Sequence, residues 1–278
     1  MVRKLIGLAM LCLPLVAFPR GKDIMASEPS TPSRTSMSTK PRTDPDAIRV
    51  VSYNVRIFCG MDLPNAGRVV ESDSLSRRRL IKLLRWMDAD FIALQEVDYL
   101  TERSGWDDQV RRLAEGTGLH GTFVDAIDRS KGKYGIGLLS REKPISVKRI
   151  QLPGSEELRV MMVAEFKDCY VINTHFSLVE GDRAKSVEIL SKECEGLSKP
   201  VIVCGDFNET WEGANIKDLS GRFTLLTDPL PSYPADNPKS CLDYVWGHGI
   251  GKDAVRRKVL LDEPKASDHR PWIVDIKL

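Results

Sequence analysis

Apolar residues in this chain fall into short runs separated by polar and turn-forming stretches. The segments 48–55 (IRVVSYNV), 91–97 (FIALQEV), 134–140 (YGIGLLS), 159–166 (RVMMVAEF), 170–176 (YVINTHF), 201–207 (VIVCGDF), 242–246 (LDYVW) and 272–278 (WIVDIKL) predict strands. Several are apolar at nearly every position, the pattern of strands covered on both faces. Between them, residues 74–87 place apolar side chains at 80, 81, 83, 84 and 87 on one helical face, and 106–113 and 183–197 also fit amphipathic helices. The expected fold class is α/β: two packed mixed β-sheets flanked by helices. No unit of 20–50 residues recurs, which excludes repeat architectures.

At the N-terminus, Arg3 and Lys4 precede an apolar run from Leu5 to Phe18, the n- and h-regions of an export signal, too short to span a bilayer comfortably. A signal peptide is expected over 1–26, which would send the protein to the periplasm or the medium. Translation from Met25 would instead leave it cytoplasmic. Residues 27–47 are rich in Ser, Thr and Pro with almost no large apolar side chain, a composition that cannot order itself and predicts a flexible linker. The folded domain is expected at 48–278, long enough for one large core.

Composition excludes the fibrous and wholly disordered classes, since 42% of residues are hydrophobic and 29% charged. The formal charge of +2 owes more to the leader than to the body, because residues 1–25 carry Arg3, Lys4, Arg20 and Lys22 against Asp23 alone. A near-neutral body offers no broad surface for gripping a polyanion, although a local basic groove remains compatible with it. Of six cysteines, Cys12 falls in the signal, and the remaining five cannot all pair. Cys169 and Cys204 sit in apolar runs as small hydrophobes, whereas Cys59 and Cys241 lie near motif loops and could pair after export.

Five apolar runs meet a strongly polar residue at one end. Asn54 closes VVSYN, Glu96 closes FIALQE, His175 closes VINTH, Asp206 and Asn208 close VIVCGDFN, and Asp268 and His269 precede PWIVDI. A carboxylate beside a buried strand is costly unless it is paired or binds a cation, so five such coincidences point to one shared site.

The ordered set SYN, LQEV, NTH, GDFN, LDYV and SDHRPW resembles the endonuclease/exonuclease/phosphatase superfamily over residues 48–278. The resemblance implies a four-layer α/β sandwich with a metal-dependent phosphoesterase cleft at its strand ends. It implies Mg²⁺ or Mn²⁺ held by Glu96, with Asn54 and Asp268 as further metal or water-shell contacts. Asp206 would orient or deprotonate the attacking water, and Asn208 would hold a phosphate oxygen. His175 would approach the phosphate and help protonate the leaving oxygen. Adjacent residues in an extended segment project to opposite sides, so His269 needs a carboxylate other than Asp268, and the family pattern supplies Asp243. Tyr134 and Arg103 are expected at the substrate, with a strand-edge aromatic and a solvated surface charge as the respective alternatives. Tyr233 and Lys239 would lie on the rim. His120 and His248 match no motif and are expected to be structural or on the surface, and Arg183, in the helical segment after His175, is expected to make a structural ion pair. One departure stands out: Arg56 occupies a position where abasic-site enzymes carry a metal-supporting acid.

The expected activity is hydrolysis of a phosphodiester or phosphomonoester. A secreted nuclease acting on DNA or RNA, a phosphatase of inositol or lipid phosphates, and a catalytically silent phosphate-binding module are the alternatives. A monomer without stable membrane insertion is expected.

Overall fold

The computed structural model of the protein describes residues 44–61 and 74–278. The expected signal and the linker up to residue 43 lie outside these residues. Residues 44–47, assigned to the linker by composition, already belong to the folded body: Ala47 is buried and Asp44 approaches Arg256 at 3.4 Å.

Two six-stranded sheets form the centre. The first contains β1 (Ile48–Asn54), β2 (Phe91–Tyr99), β3 (His120–Arg129), β4 (Gly132–Ser140), β11 (Val255–Leu260) and β12 (Trp272–Ile276), in the order β11-β12-β1-β2-β4-β3. The second contains β5 (Ser146–Leu152), β6 (Arg159–Glu165), β7 (Tyr170–His175), β8 (Val201–Asp206), β9 (Thr224–Leu225) and β10 (Asp243–His248), in the order β5-β6-β7-β8-β10-β9. Each sheet has one parallel pair, β1 with β2 and β7 with β8, and every other pairing is antiparallel. The helices α1 (Ser74–Met87) and α3 (Glu180–Glu195) lie in the crossovers of those parallel pairs, as parallel connections require. Two further helices, α2 (Gln109–Thr117) and α4 (Ala214–Arg222), complete the set.

Strand periodicity explains the layering. Ala93 faces the core between the sheets, while its neighbours Ile92 and Leu94 face α1 and α2; in β8, Ile202 and Cys204 face the inter-sheet core and Val203 faces α3 and α4. Central strands are therefore buried on both faces, and the result is the expected four-layer sandwich. The α1 face closes with Leu80, Leu83, Leu84 and Met87, all buried, each contributing about 1.5–3 kcal/mol through area removed from water. A polar staple joins the sheets near one edge. Gln95 Nε2 donates to Asn173 Oδ1 at 2.7 Å, and Asn173 Nδ2 donates to the carbonyls of Leu94 and Gly137 at 2.9 and 2.8 Å.

Among the described cysteines every thiol is free, Cys59 and Cys241 included. The helix expected at 106–113 runs from Gln109 to Thr117, because Asp108 caps it by accepting from Arg111 N.

Candidate active site

The polar strand ends gather at one edge of the sandwich, and the topology dictates which ends. A parallel pair places both carboxyl ends at the same edge; an antiparallel neighbour brings its amino end there. From the first sheet this edge receives Asn54 at the end of β1, Glu96 near the end of β2, Tyr134 near the start of β4, and Asp268 and His269 just before β12. The second sheet supplies His175 from the end of β7, Asp206 from the end of β8, Arg159 from the start of β6 and Asp243 from the start of β10.

Glu96 reaches the site through a local irregularity. The β2–β4 register shifts between Leu94 and Val97, and Glu96 adopts φ +57°, a left-handed conformation costing about 1 kcal/mol or more for a non-glycine residue. Its side chain then meets Asn54, whose Nδ2 donates to Glu96 Oε1 at 2.9 Å and to Asp206 Oδ2 at 3.0 Å. One amide nitrogen thus bridges two carboxylates contributed by different sheets. Asn54 Oδ1 in turn accepts the Arg56 backbone N–H at 3.1 Å.

Asp206 is the hub. Its Oδ2 lies 3.6 Å from His175 Nε2 and 3.7 Å from His269 Nε2, while Oδ1 accepts the Asn208 backbone N–H at 2.9 Å. Burial raises its pKa; the imidazole of His269 opposes that shift and Asp243 adds to it. The resulting carboxylate holds a proton more readily than a solvated aspartate does, as a general base must. His269 Nδ1 sits 2.8 Å from Asp243 Oδ2. Burial disfavours charge on this ring, yet Asp243 and Asp206 outweigh it and lift the ring to about 10, so His269 is an imidazolium. His175 goes the other way. Burial, the guanidinium of Arg159 and the charge of His269 all push it well below its ordinary value, which favours the neutral ring. Asn208, in a left-handed turn at φ +49°, sets its Nδ2 3.0 Å from His175 Nε2 and 2.9 Å from the Phe176 carbonyl.

The donor set suits a hard divalent cation. Burial raises the pKa of Glu96, and nearby Asp268 reinforces this against the Asn54 hydrogen bond, so its negative charge is poorly compensated by the protein. Asp206, Asp243 and His269 form a further cluster whose ligand-type atoms lie within 4.8 Å of one another, although the His269–Asp243 hydrogen bond already engages two of them. Asp268 is partly neutralised by Arg56, whose Nε lies 3.2 Å from its Oδ2. Arg56, Ile57 and Phe58 are consecutively left-handed, at φ +43°, +47° and +65°, and this turn carries the guanidinium to Asp268.

Tyr134 is buried beside Glu96 and Arg159, and burial holds its hydroxyl neutral. Arg103 stands farther out. Its Nε and Nη2 donate to the two oxygens of buried Asp98 at 2.9 and 2.7 Å, and its guanidinium lies 5.1 Å from the Tyr134 ring centroid. The bidentate face expected to grip phosphate is therefore occupied by Asp98. Arg183 pairs with Glu209 at 2.6 Å, and Tyr233 covers His269 with ring centroids 4.9 Å apart. Beyond Arg103, a groove of about 650 Å³ opens between Tyr99, Leu100, Trp106 and the β3–β4 turn at residues 128–133.

Two residues at this edge were not found from sequence. Arg159 is buried with Nη1 3.4 Å from the His175 ring and Nη2 3.1 Å from Glu156, and its one sequence signal is a charge opening an apolar run. Ser232 donates to Asp243 Oδ2 at 2.6 Å from a loop with no pattern to mark it.

A family model described as "Endonuclease/Exonuclease/phosphatase family" matches residues 51–269. Solved structures resemble the chain at low identity. An endonuclease/exonuclease/phosphatase protein from Bacteroides vulgatus superposes with a TM-score of 0.67 at 18% identity, covering 84% of this chain and 99% of that one. The mannosyl-6-phosphatase of Bacteroides thetaiotaomicron gives 0.62 at 18% identity, covering 82% and 98%. The catalytic domain of human Nocturnin, with bound sulfate, gives 0.60 at 20% identity, covering 82% and 92%. No curated protein matches by sequence.

Proposed function

Because the chain belongs to the endonuclease/exonuclease/phosphatase family of divalent-metal-dependent phosphoester hydrolases, we propose that it hydrolyses a phosphate ester by in-line attack of water at the cleft floored by Glu96, Asp206 and His269. The observation that carries this reading is the position of Asp206 Oδ2, 3.0 Å from Asn54, 3.6 Å from His175 and 3.7 Å from His269. A water held there has a base on one side and an imidazolium on the other.

Glu96, with Asn54 and Asp268 around it, would hold Mg²⁺ or Mn²⁺, which when bound withdraws charge from the phosphoryl oxygens. Asp206, raised by burial, takes the proton from the attacking water. Asn208, anchored on the Phe176 carbonyl, would turn its second amide N–H from the neutral His175 ring to a phosphoryl oxygen as negative charge grows there. His269 presents Nε2–H to the cleft, stabilises that charge and passes its proton to the leaving oxygen. Asp243 holds the ring in the orientation this requires. Tyr134, neutral and buried next to Glu96, closes the wall, and the groove beyond Arg103 gives room for the remainder of the ester.

Export through residues 1–26, a mature domain beginning close to residue 44 and a monomeric state belong to the same reading. Among the described residues no helix is long and apolar enough to cross a membrane. The test is a panel of plasmid DNA, RNA, bis-p-nitrophenyl phosphate, a sugar phosphate, phosphoinositides and sphingomyelin, each with Mg²⁺ and with EDTA. Hydrolysis abolished by EDTA and by Asp206→Asn supports the proposal; binding without hydrolysis across the panel overturns it. Steep loss with added salt would mark a nucleic acid as the substrate.

A further inference from the structure

The Asp243–His269 pair has a third member. Ser232 is fully buried, and its Oγ accepts the backbone N–H groups of Leu242 and Asp243 at 3.3 and 3.4 Å. With donors on its lone-pair side, the hydroxyl has one direction left for its proton, and Asp243 Oδ2 lies there at 2.6 Å. That is the same oxygen that faces His269 Nδ1 at 2.8 Å, whereas Asp243 Oδ1 is buried with no hydrogen-bond partner among the described residues. A carboxylate held by His269 alone could turn and exchange its oxygens; two donors converging on Oδ2 fix it.

The backbone of Ser232 ties the same strap to the histidine loop. Its carbonyl accepts the Arg270 N–H at 2.9 Å, Ala235 N donates to the Asp268 carbonyl at 2.7 Å, and Arg270 Nε donates to the Ala235 carbonyl at 2.7 Å. Residues on both sides of His269 are thereby clamped by the segment that carries the hydroxyl.

We infer that Ser232 is a positioning residue for the proposed reaction, locking Asp243 Oδ2 onto His269 Nδ1 so that Nε2 keeps a constant aim into the cleft. The inference rests on the hydrolase reading, but its test has a readout independent of turnover. A hydrogen bond to a charged group contributes about 1.5–3 kcal/mol, equivalent to ten- to a hundredfold in rate if spent on orientation.

The full chain is compared as wild type, Ser232→Ala, Ser232→Cys and Ser232→Thr. In the loss variants kcat falls about ten- to a hundredfold while KM stays within about twofold, and Thr, which restores the hydroxyl, recovers kcat. Without substrate, the downfield proton resonance assigned to His269 Nδ1 by its loss in His269→Ala moves farther downfield in the Ala and Cys variants, because an Oδ2 relieved of one donor accepts more strongly. Cys nearly conserves the side-chain volume, so it serves if Ala fails to fold. An unmoved resonance in a folded loss variant overturns the inference whatever the rate does, and so does a displaced resonance with unchanged kcat. If wild type hydrolyses nothing in the panel, the hydrolase reading fails while the resonance comparison still reports on the Ser232 contact.

Discussion

Asp243→Asn removes the carboxylate that keeps His269 charged, and the geometry sets the size of the effect. Burial pushes the ring toward neutrality, while Asp243 at 2.8 Å and Asp206 at 3.7 Å reverse this and carry it from 6.5 to about 10. That displacement corresponds to on the order of 5 kcal/mol in favour of the protonated ring. Without Asp243 the burial cost loses its main opponent, and the ring falls back toward about 6.5. At pH 8 such a ring is protonated in only about 3% of molecules, so kcat/KM drops about thirtyfold; at pH 7 the drop is about fourfold. The assay is hydrolysis of bis-p-nitrophenyl phosphate from pH 5.5 to 10 at fixed ionic strength and saturating Mg²⁺. Wild-type activity rises as Asp206 loses its proton, holds, and declines near pH 10. The variant declines from about pH 6.5 upward. A uniform loss at every pH, with the basic limb unmoved, would refute the assignment of His269 as a charge donor held by Asp243.

Three further outcomes are expected. Asp206→Asn keeps the shape of the hub and removes the base, so kcat falls by about a hundredfold or more with the melting temperature little changed, as read by steady-state kinetics and calorimetry. Mg²⁺ at a hundred times its dissociation constant stabilises wild type by about 2.7 kcal/mol, about 5–10 °C in melting temperature for a domain of this size, and Glu96→Gln abolishes that rise in a thermal melt. Arg56→Gln releases Asp268 from a partly buried pair contributing about 1 kcal/mol, lowering the Mg²⁺ concentration for half-maximal activity about fivefold in a metal titration.

What the sequence revealed of the fold follows burial. The central strands β1, β2, β4, β6, β7, β8, β10 and β12 are covered on both faces and read as nearly continuous apolar runs. The four without such a run, β3, β5, β9 and β11, are the edges of the two sheets. β5 reads SVKRIQL with six of its seven residues at least partly exposed, and β11 reads VRRKVL with none buried. Charged side chains protect such edges from pairing with another chain, and the same charges erase the hydrophobic signal. α4 is hard to read for a different reason: it is only nine residues long and carries Ser220 and Gly221, both poor helix formers, in its last turn.

The site divides along a different line. Asn54, Glu96, His175 and Asp206 stand out in the sequence because a polar residue closing an apolar run is conspicuous, and in a parallel pair the closing ends share an edge. Arg159 opens its strand, and so, nearly, does Tyr134; only the register, Val160 opposite His175 and Asp98 opposite Tyr134, brings those openings to the edge where their partners close. Asp243 obeys the same geometry, lying directly across from Asp206. Each sheet thus delivers two carboxyl ends from its parallel pair and two amino ends from the antiparallel strands beside it, eight strands aimed at one cleft. Chemistry placed at the start of an antiparallel neighbour can be assigned to this cleft only once the sheet order is known. The loop residue Ser232 demands more still, because nothing but the folded contact with Asp243 distinguishes it from the other serines of the chain.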